Sequence, residues 1–268
     1  MKLNILDLLT NKIGEITLPL QFEEEFRPDL IRMAVTATQT NQRQVYGASQ
    51  TAGKRASAKL SRRRRDYRGA YGFGISRVPR KIITRRGSRM NWVGAFAPGT
   101  VGGRRAHPPK IEKDWIHKIN KKEKSKAIRS AIAATILKWV VVERGHLLPS
   151  NYPFVIEEKF ELIDKTKKVT ESLKKLGLEK ELERIEEKKI RSGKGKSRGR
   201  KYHERKGPLI IVSKKDKLYK AAANIPGVDV VDVRSLSIEM LAPGGKPGRL
   251  TLWTTAALNI LEKENMFK

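Results

Sequence analysis

Apolar residues fall at helical spacing on either side of a long stretch that has no such spacing. Pro28 stands where a first helical turn accepts it, with Asp29 beside it. Leu30, Ile31, Ala34, Val35 and Thr38 then follow at helical intervals, which predicts a helix over 28–43. Ile128, Ile132, Ile136 and Val140 recur every four residues, flanked by Ala127, Ala131 and Ala134, and predict a helix over 122–143 that Gly145 stops. Residues 1–20 alternate loosely through Ile13, Ile16, Leu18 and Leu20, with Gly14 read as a turn, so a short strand or hairpin is expected there.

Beyond residue 150 short apolar runs alternate with helical ones. Pro153–Ile156, Leu209–Val212, Val228–Val233 and Leu250–Trp253 read as strands, and 167–176, 179–190, 215–223 and 254–264 as helices, with Gly177 capping the first of these. Such alternation predicts an α/β fold: a mainly parallel sheet with helices on both faces, a Rossmann-like three-layer arrangement. Four consecutive apolar residues at Leu209–Val212 suit a central strand buried on both sides. In 178–190, Leu178, Leu182 and Ile185 form an apolar stripe, and charges such as Glu181 and Lys188 are expected on a solvated face.

The intervening stretch, 44–110, shows no sustained period of 2 or 3.6 beyond a possible helical turn near its start. It holds seventeen Lys or Arg against one acid, Asp66, and ten of the chain's 21 glycines. Compact domains rarely contain structureless loops beyond about 15 residues, so the stretch is either disordered or ordered by something other than protein. The formal net charge is +30, of which 44–110 carries +16 and 191–207 carries +7. The expected division is a globular domain of 1–43 and 111–268, an extended loop of 44–110 inserted between two helices, and a second basic loop at 191–207.

Charge on this scale calls for a polyanion. A membrane is disfavoured, because basic membrane segments pair their charge with an amphipathic or long apolar face, and no run approaches 18 apolar residues. The absence of cysteine excludes disulfides, Cys zinc sites and thiol nucleophiles. The start shows no clear signal sequence, and the protein is read as intracellular and soluble. No metal or cofactor is expected, since His107, His117, His146 and His203 are scattered without ligand spacing.

Within the basic stretch, Arg62, Arg63, Arg64 and Arg65 lead into Asp66-Tyr67-Arg68-Gly69. Tyr71, Phe73, Trp92 and Phe96 are interleaved farther on. Guanidinium groups fork onto phosphates and stack on bases, and glycine permits close backbone approach, so the mixture suits structured RNA. In the second basic run, Gly195-Lys196-Ser197 is not a phosphate loop, because Ile190 stands where that motif needs its first glycine. Gly69-Ala-Tyr-Gly72-Phe-Gly74 has the wrong order for a dinucleotide fingerprint. A nucleic-acid-modifying enzyme should show a cofactor-binding turn or a catalytic constellation, and neither is present. A DNA-condensing protein would not explain the rings and apolar residues within the charge.

Gly102-Gly-Arg-Arg-Ala-His-Pro-Pro-Lys110, Ala127–Thr135 with Arg144-Gly-His146, Gly199-Arg-Lys-Tyr202 with Gly207-Pro-Leu-Ile-Ile211, and Leu241–Trp253 occur in this order along the chain. Together these segments resemble the large-subunit ribosomal protein four family, in its archaeal and eukaryotic branch. Because the chain stops at Lys268, without the long C-terminal extension of eukaryotic members, the archaeal type is indicated. The resemblance implies a structural, non-enzymatic constituent of the large subunit, cytoplasmic and ribosome-bound. Its partners would be large-subunit rRNA, neighbouring ribosomal proteins and the nascent polypeptide, without membrane or homo-oligomer. About 33 residues out and 33 back would span on the order of 100 Å when extended.

The side chains expected on RNA are Lys54, Arg55, Lys59, Arg62, Arg63, Arg64, Arg65, Tyr67, Arg68, Arg77, Arg80, Lys81, Arg104, Arg105 and His107. The second loop adds Arg191, Lys194, Lys196, Arg198, Arg200, Lys201, Tyr202 and Arg205. By the resemblance, Arg85, Arg86, Gly87, Ser88, Arg89, Met90, Asn91 and Trp92 are the candidates for lining the peptide exit tunnel.

Overall fold

A computed structural model describes residues 1–66, 69–87 and 89–267; Tyr67, Arg68 and Ser88, expected at the interface, lie outside the described residues. In chain order the elements begin with strands β1 (Lys2–Leu6) and β2 (Lys12–Thr17), helix α1 (Pro28–Gln42), and strands β3 (Ala58–Lys59), β4 (Arg80–Arg86) and β5 (Arg89–Gly94). Helices α2 (Lys121–Ala134) and α3 (Lys138–Glu143), strand β6 (Val155–Ile156), helices α4 (Thr166–Leu173) and α5 (Glu179–Glu186), and strands β7 (Lys189–Ile190) and β8 (Tyr202–His203) follow. The chain closes with β9 (Leu209–Val212), α6 (Lys217–Ala222), β10 (Asp229–Asp232), α7 (Ile238–Leu241), β11 (Thr251–Thr254) and α8 (Thr255–Lys263). Contacts divide it into two units, Met1–Gln42 with Ile116–Lys268, and Arg43–Trp115.

The first unit is built on a six-stranded sheet of order β10-β9-β11-β6-β1-β2, parallel throughout except for the β1–β2 hairpin. Successive strand residues point to opposite faces, and the core divides accordingly. Leu209, Ile211, Val155, Val231 and Trp253 pack with residues of α1, α2, α7 and α8. Ile210, Val212, Ile156, Val230 and Leu252 pack with residues of α4, α5 and α6. All four side chains of β9 are buried, as its unbroken apolar run requires, and each contributes about 1.5–3 kcal/mol by leaving water.

Four sequence expectations are corrected. Gly14 is not the turn of the first hairpin; it lies within β2 opposite Ile5. The helix expected over 122–143 is broken at 135–137. In a continuous helix the Thr135 carbonyl would accept from residue 139, but here it accepts from the Tyr152 hydroxyl, while the Thr135 hydroxyl donates to Ile132 O (2.7 Å). Leu137 is extended (ψ 100°) and starts α3, which Gly145 ends with φ +95° and a bond from its N–H to Val142 O (2.8 Å). Helix α5 stops at Glu186, short of 190, because the next position of its apolar stripe is Lys189, which pairs with His203 instead. The fourth correction concerns 44–110, where β3, β4 and β5 form a three-stranded antiparallel sheet, and no described residue is helical.

Candidate nucleic-acid interface

Strands β4 and β5 carry the register Arg80↔Gly94, Lys81↔Val93, Ile82↔Trp92, Arg85↔Met90 and Arg86↔Arg89, with an irregularity between Ile82 and Thr84. Gly87 takes φ +57° beyond β4, a conformation that glycine adopts without strain. Two other glycines are required by close approach. A Cβ on Gly103 would lie 2.1 Å from Ala97 O, and one on Gly53 would lie 2.4 Å from Arg104 Cα.

Among the described residues of 43–115, Ala70 and Ala95 are the only buried apolar side chains. Two alanines give almost no hydrophobic stabilisation, so this unit holds its shape by backbone pairing, glycine turns and cation–ring contacts. Nineteen Lys or Arg stand in 43–115 against three acids, Asp66, Glu112 and Asp114. The acids are too few to neutralise them, and a surface this cationic with so little core is suited to burial in a polyanion.

Lys54, Arg55, Lys59, Arg62–Arg65, Arg77, Arg105 and His107 are exposed, while Arg80, Lys81 and Arg104 are half-buried. Rings and cations are paired through the unit. Arg77 lies 5.2 Å and Arg64 5.9 Å from the Tyr71 ring, and Arg80 lies 5.7 Å from Trp92. Arg43 lies 4.7 Å from Trp115 and 5.4 Å from Tyr46. Phe73 stands 69% exposed between Gly72 and Gly74, both of positive φ, and so offers a free ring face. Of the tunnel candidates, Arg85, Arg86, Gly87, Arg89 and Asn91 are exposed, whereas Met90 and Trp92 are half-buried.

In the first unit the second basic loop is a hairpin closed by β7 and β8. Arg191 N–H donates to Lys201 O (2.8 Å), and Arg191 Nε donates to Arg200 O (3.2 Å). Lys194, Lys196, Arg198, Arg200, Lys201 and Tyr202 are exposed on it. Arg205 is engaged within the protein, 2.6 Å from the Glu187 carboxylate and donating to Arg184 O (3.1 Å).

The base of that loop is fixed by a buried network that includes a further correction. Glu181, expected on a solvated face, is completely buried. It accepts from His146 Nδ1 (2.6 Å), Leu147 N (3.0 Å), and Arg184 Nε and Nη2 (both 2.7 Å). Arg184 Nη2 also donates to Lys206 O (2.9 Å). Burial opposes the Glu181 anion, but the donors from Arg184, His146 and Leu147 outweigh it and hold the carboxyl below its ordinary range. Burial pushes His146 down more strongly than Glu181 pulls it up, so the ring is neutral and its Nδ1–H donates to the carboxylate.

Arg249 is likewise buried. It reaches Asp229 Oδ2 (2.5 Å), Gly207 O (2.9 Å) and Met240 O (3.0 Å), and so holds the start of β9. Arg144 donates to Pro243 O (2.9 Å) and Lys246 O, and burial lowers it to about 10. The helical pattern contained a signal for Glu181, which stands three residues after Leu178 and four before Ile185, on the face of the stripe. Arg249, alone beside Leu250-Thr-Leu-Trp253, carried a similar one.

Comparison with known proteins gives one family. The model for the ribosomal protein L4/L1 family matches residues 16–264. A large ribosomal subunit protein uL4 from Nanoarchaeum equitans (strain Kin4-M) is 50% identical over 268 residues, covering 100% of both chains. A protein of the same name from Methanococcoides burtonii is 48% identical, covering 97% of each chain. Another from Archaeoglobus fulgidus is 44% identical, over 97% of this chain and 98% of that one.

Proposed function

Since the chain belongs to the ribosomal protein L4/L1 family, we propose that it works by setting Arg43–Trp115 within the large-subunit rRNA. It is a structural constituent of the large ribosomal subunit and not an enzyme. The observation that carries the RNA reading is the excess of exposed cations, interleaved with rings, on a unit with almost no core. Each cation offsets phosphate repulsion where RNA segments crowd together, and the free ring faces take unpaired bases.

In the same reading the first unit is a three-layer, Rossmann-like anchor, and its loop at 191–207 grips a separate RNA segment. Residues around the β4–β5 turn, Arg85–Trp92, help line the nascent-peptide exit tunnel. The protein acts as one copy per subunit among neighbouring ribosomal proteins, in the cytoplasm. No helix of the described residues is long and apolar enough to cross a membrane.

Sedimentation tests this. The chain is expected to remain stoichiometric with large subunits after a high-salt wash, because contacts enclosed in folded RNA are not screened like surface ones. Release of the chain into the soluble fraction would sink the reading.

A further inference from the structure

Within Arg43–Trp115 is a recess of about 450 Å³, in the size range of small-ligand sites. Tyr46 and Trp115 form one wall, their rings 5.2 Å apart and tilted at 47°. Pro108 and Pro109 also line it, and Ala48 N–H, two residues beyond Tyr46, donates to Pro109 O (3.0 Å). Gly47 permits this approach, since a Cβ there would lie 2.6 Å from the Ile111 side chain. Arg105, His107, Lys110 and Lys113 complete the lining, and no carboxylate is part of it among the described residues. Arg43 and Lys113 lie 4.7 and 5.3 Å from the centre of the Trp115 ring. The indole Nε1–H of Trp115 is shielded from water and has no acceptor among the described residues.

We propose that this recess seats one unstacked RNA nucleotide, its base on the Tyr46–Trp115 wall and its phosphate met by Arg105, Lys110 and Lys113. The proposal rests on the RNA reading above and names one site within it. Flat rings beside cations, in a lining without a carboxylate among the described residues, match a ligand that combines a π face with a negative charge. An acidic peptide would answer the charge but leave the ring wall without a planar partner.

The test is chemical probing of base reactivity in salt-washed large subunits carrying the wild-type chain, Tyr46→Ala, Trp115→Ala or Trp115→Phe. One nucleotide, protected in the wild type and in Trp115→Phe, is expected to become about tenfold more reactive in both alanine variants, as loss of a stacking platform implies. Identical reactivity in all four, with the chain present stoichiometrically, would overturn the proposal. If the alanine variants fail to enter subunits, a base-resolving reconstruction of wild-type subunits decides instead. A base on either ring supports the site, and a protein segment or solvent in the recess refutes it. Absence of the wild-type chain from washed subunits is a different result, and it removes the RNA reading itself.

Discussion

Replacing Glu181 by alanine leaves the Nδ1–H of His146 and the N–H of Leu147 without an acceptor and strips a guanidinium of its counter-ion. Breaking a buried charged pair from one side costs about 3–5 kcal/mol. The Glu181 side chain is 0% exposed but that of Arg184 is 18%, so water recovers part of the loss and the lower end, about 3 kcal/mol, applies. With a urea dependence of about 2–3 kcal/mol per molar, the unfolding midpoint followed by circular dichroism should fall by roughly 1–1.5 M. Because Arg184 also holds Lys206 O, trypsin should cut the 191–206 loop faster in the variant. A midpoint shift below about 0.3 M would mean that the network is worth no more than a surface ion pair, and would refute its anchoring role.

The same network sets a pH dependence. His146 is depressed below its ordinary 6.5, so the unfolded chain binds protons first as pH falls, and stability present above about 6.5 declines below it. Urea midpoints measured down to about pH 5 should show this decline, and His146→Gln should make it shallower; a flat profile in the wild type would contradict the burial argument. Deleting 75–100 should leave cooperative unfolding of the first unit intact while impairing subunit assembly, as calorimetry and sucrose gradients would show. Loss of cooperativity would instead place that segment in the core. Gly103→Ala should open the second unit to proteolysis, because its Cβ would lie 2.1 Å from a backbone oxygen, whereas Gly99→Ala, with open space, should not.

Those elements whose burial has a simple pattern were legible in the sequence. Leu209–Val212 is a strand at the bounds its apolar run implies, because a strand buried on both faces admits no polar residue. The β4–β5 hairpin was not legible. Arg80–Arg86 has its last four residues exposed whichever way they point, so no alternation marks it. Its pairing comes from backbone bonds and a glycine turn, which hydropathy does not register. Glu181 and Arg249 were missed for a related reason: a charge reads as surface until its partners are known, and these partners are 35 and 20 residues away. The cationic character of 44–110 was legible because it is compositional. Its boundary partners Arg43 and Trp115 were not, since the contacts of Arg43 and Tyr46 with Trp115 depend on how the two legs meet.

The chain has no cysteine, so Asn91→Cys on β5 and Ser197→Cys in the second loop each provide one thiol for a tethered iron chelate. Hydroxyl radicals generated from Asn91→Cys in assembled large subunits should cut the large-subunit rRNA, and those from Ser197→Cys should cut it at different positions. If stoichiometric incorporation of the Asn91→Cys chain gave no rRNA cleavage above the cysteine-free control, the placement of Arg43–Trp115 within RNA would be contradicted.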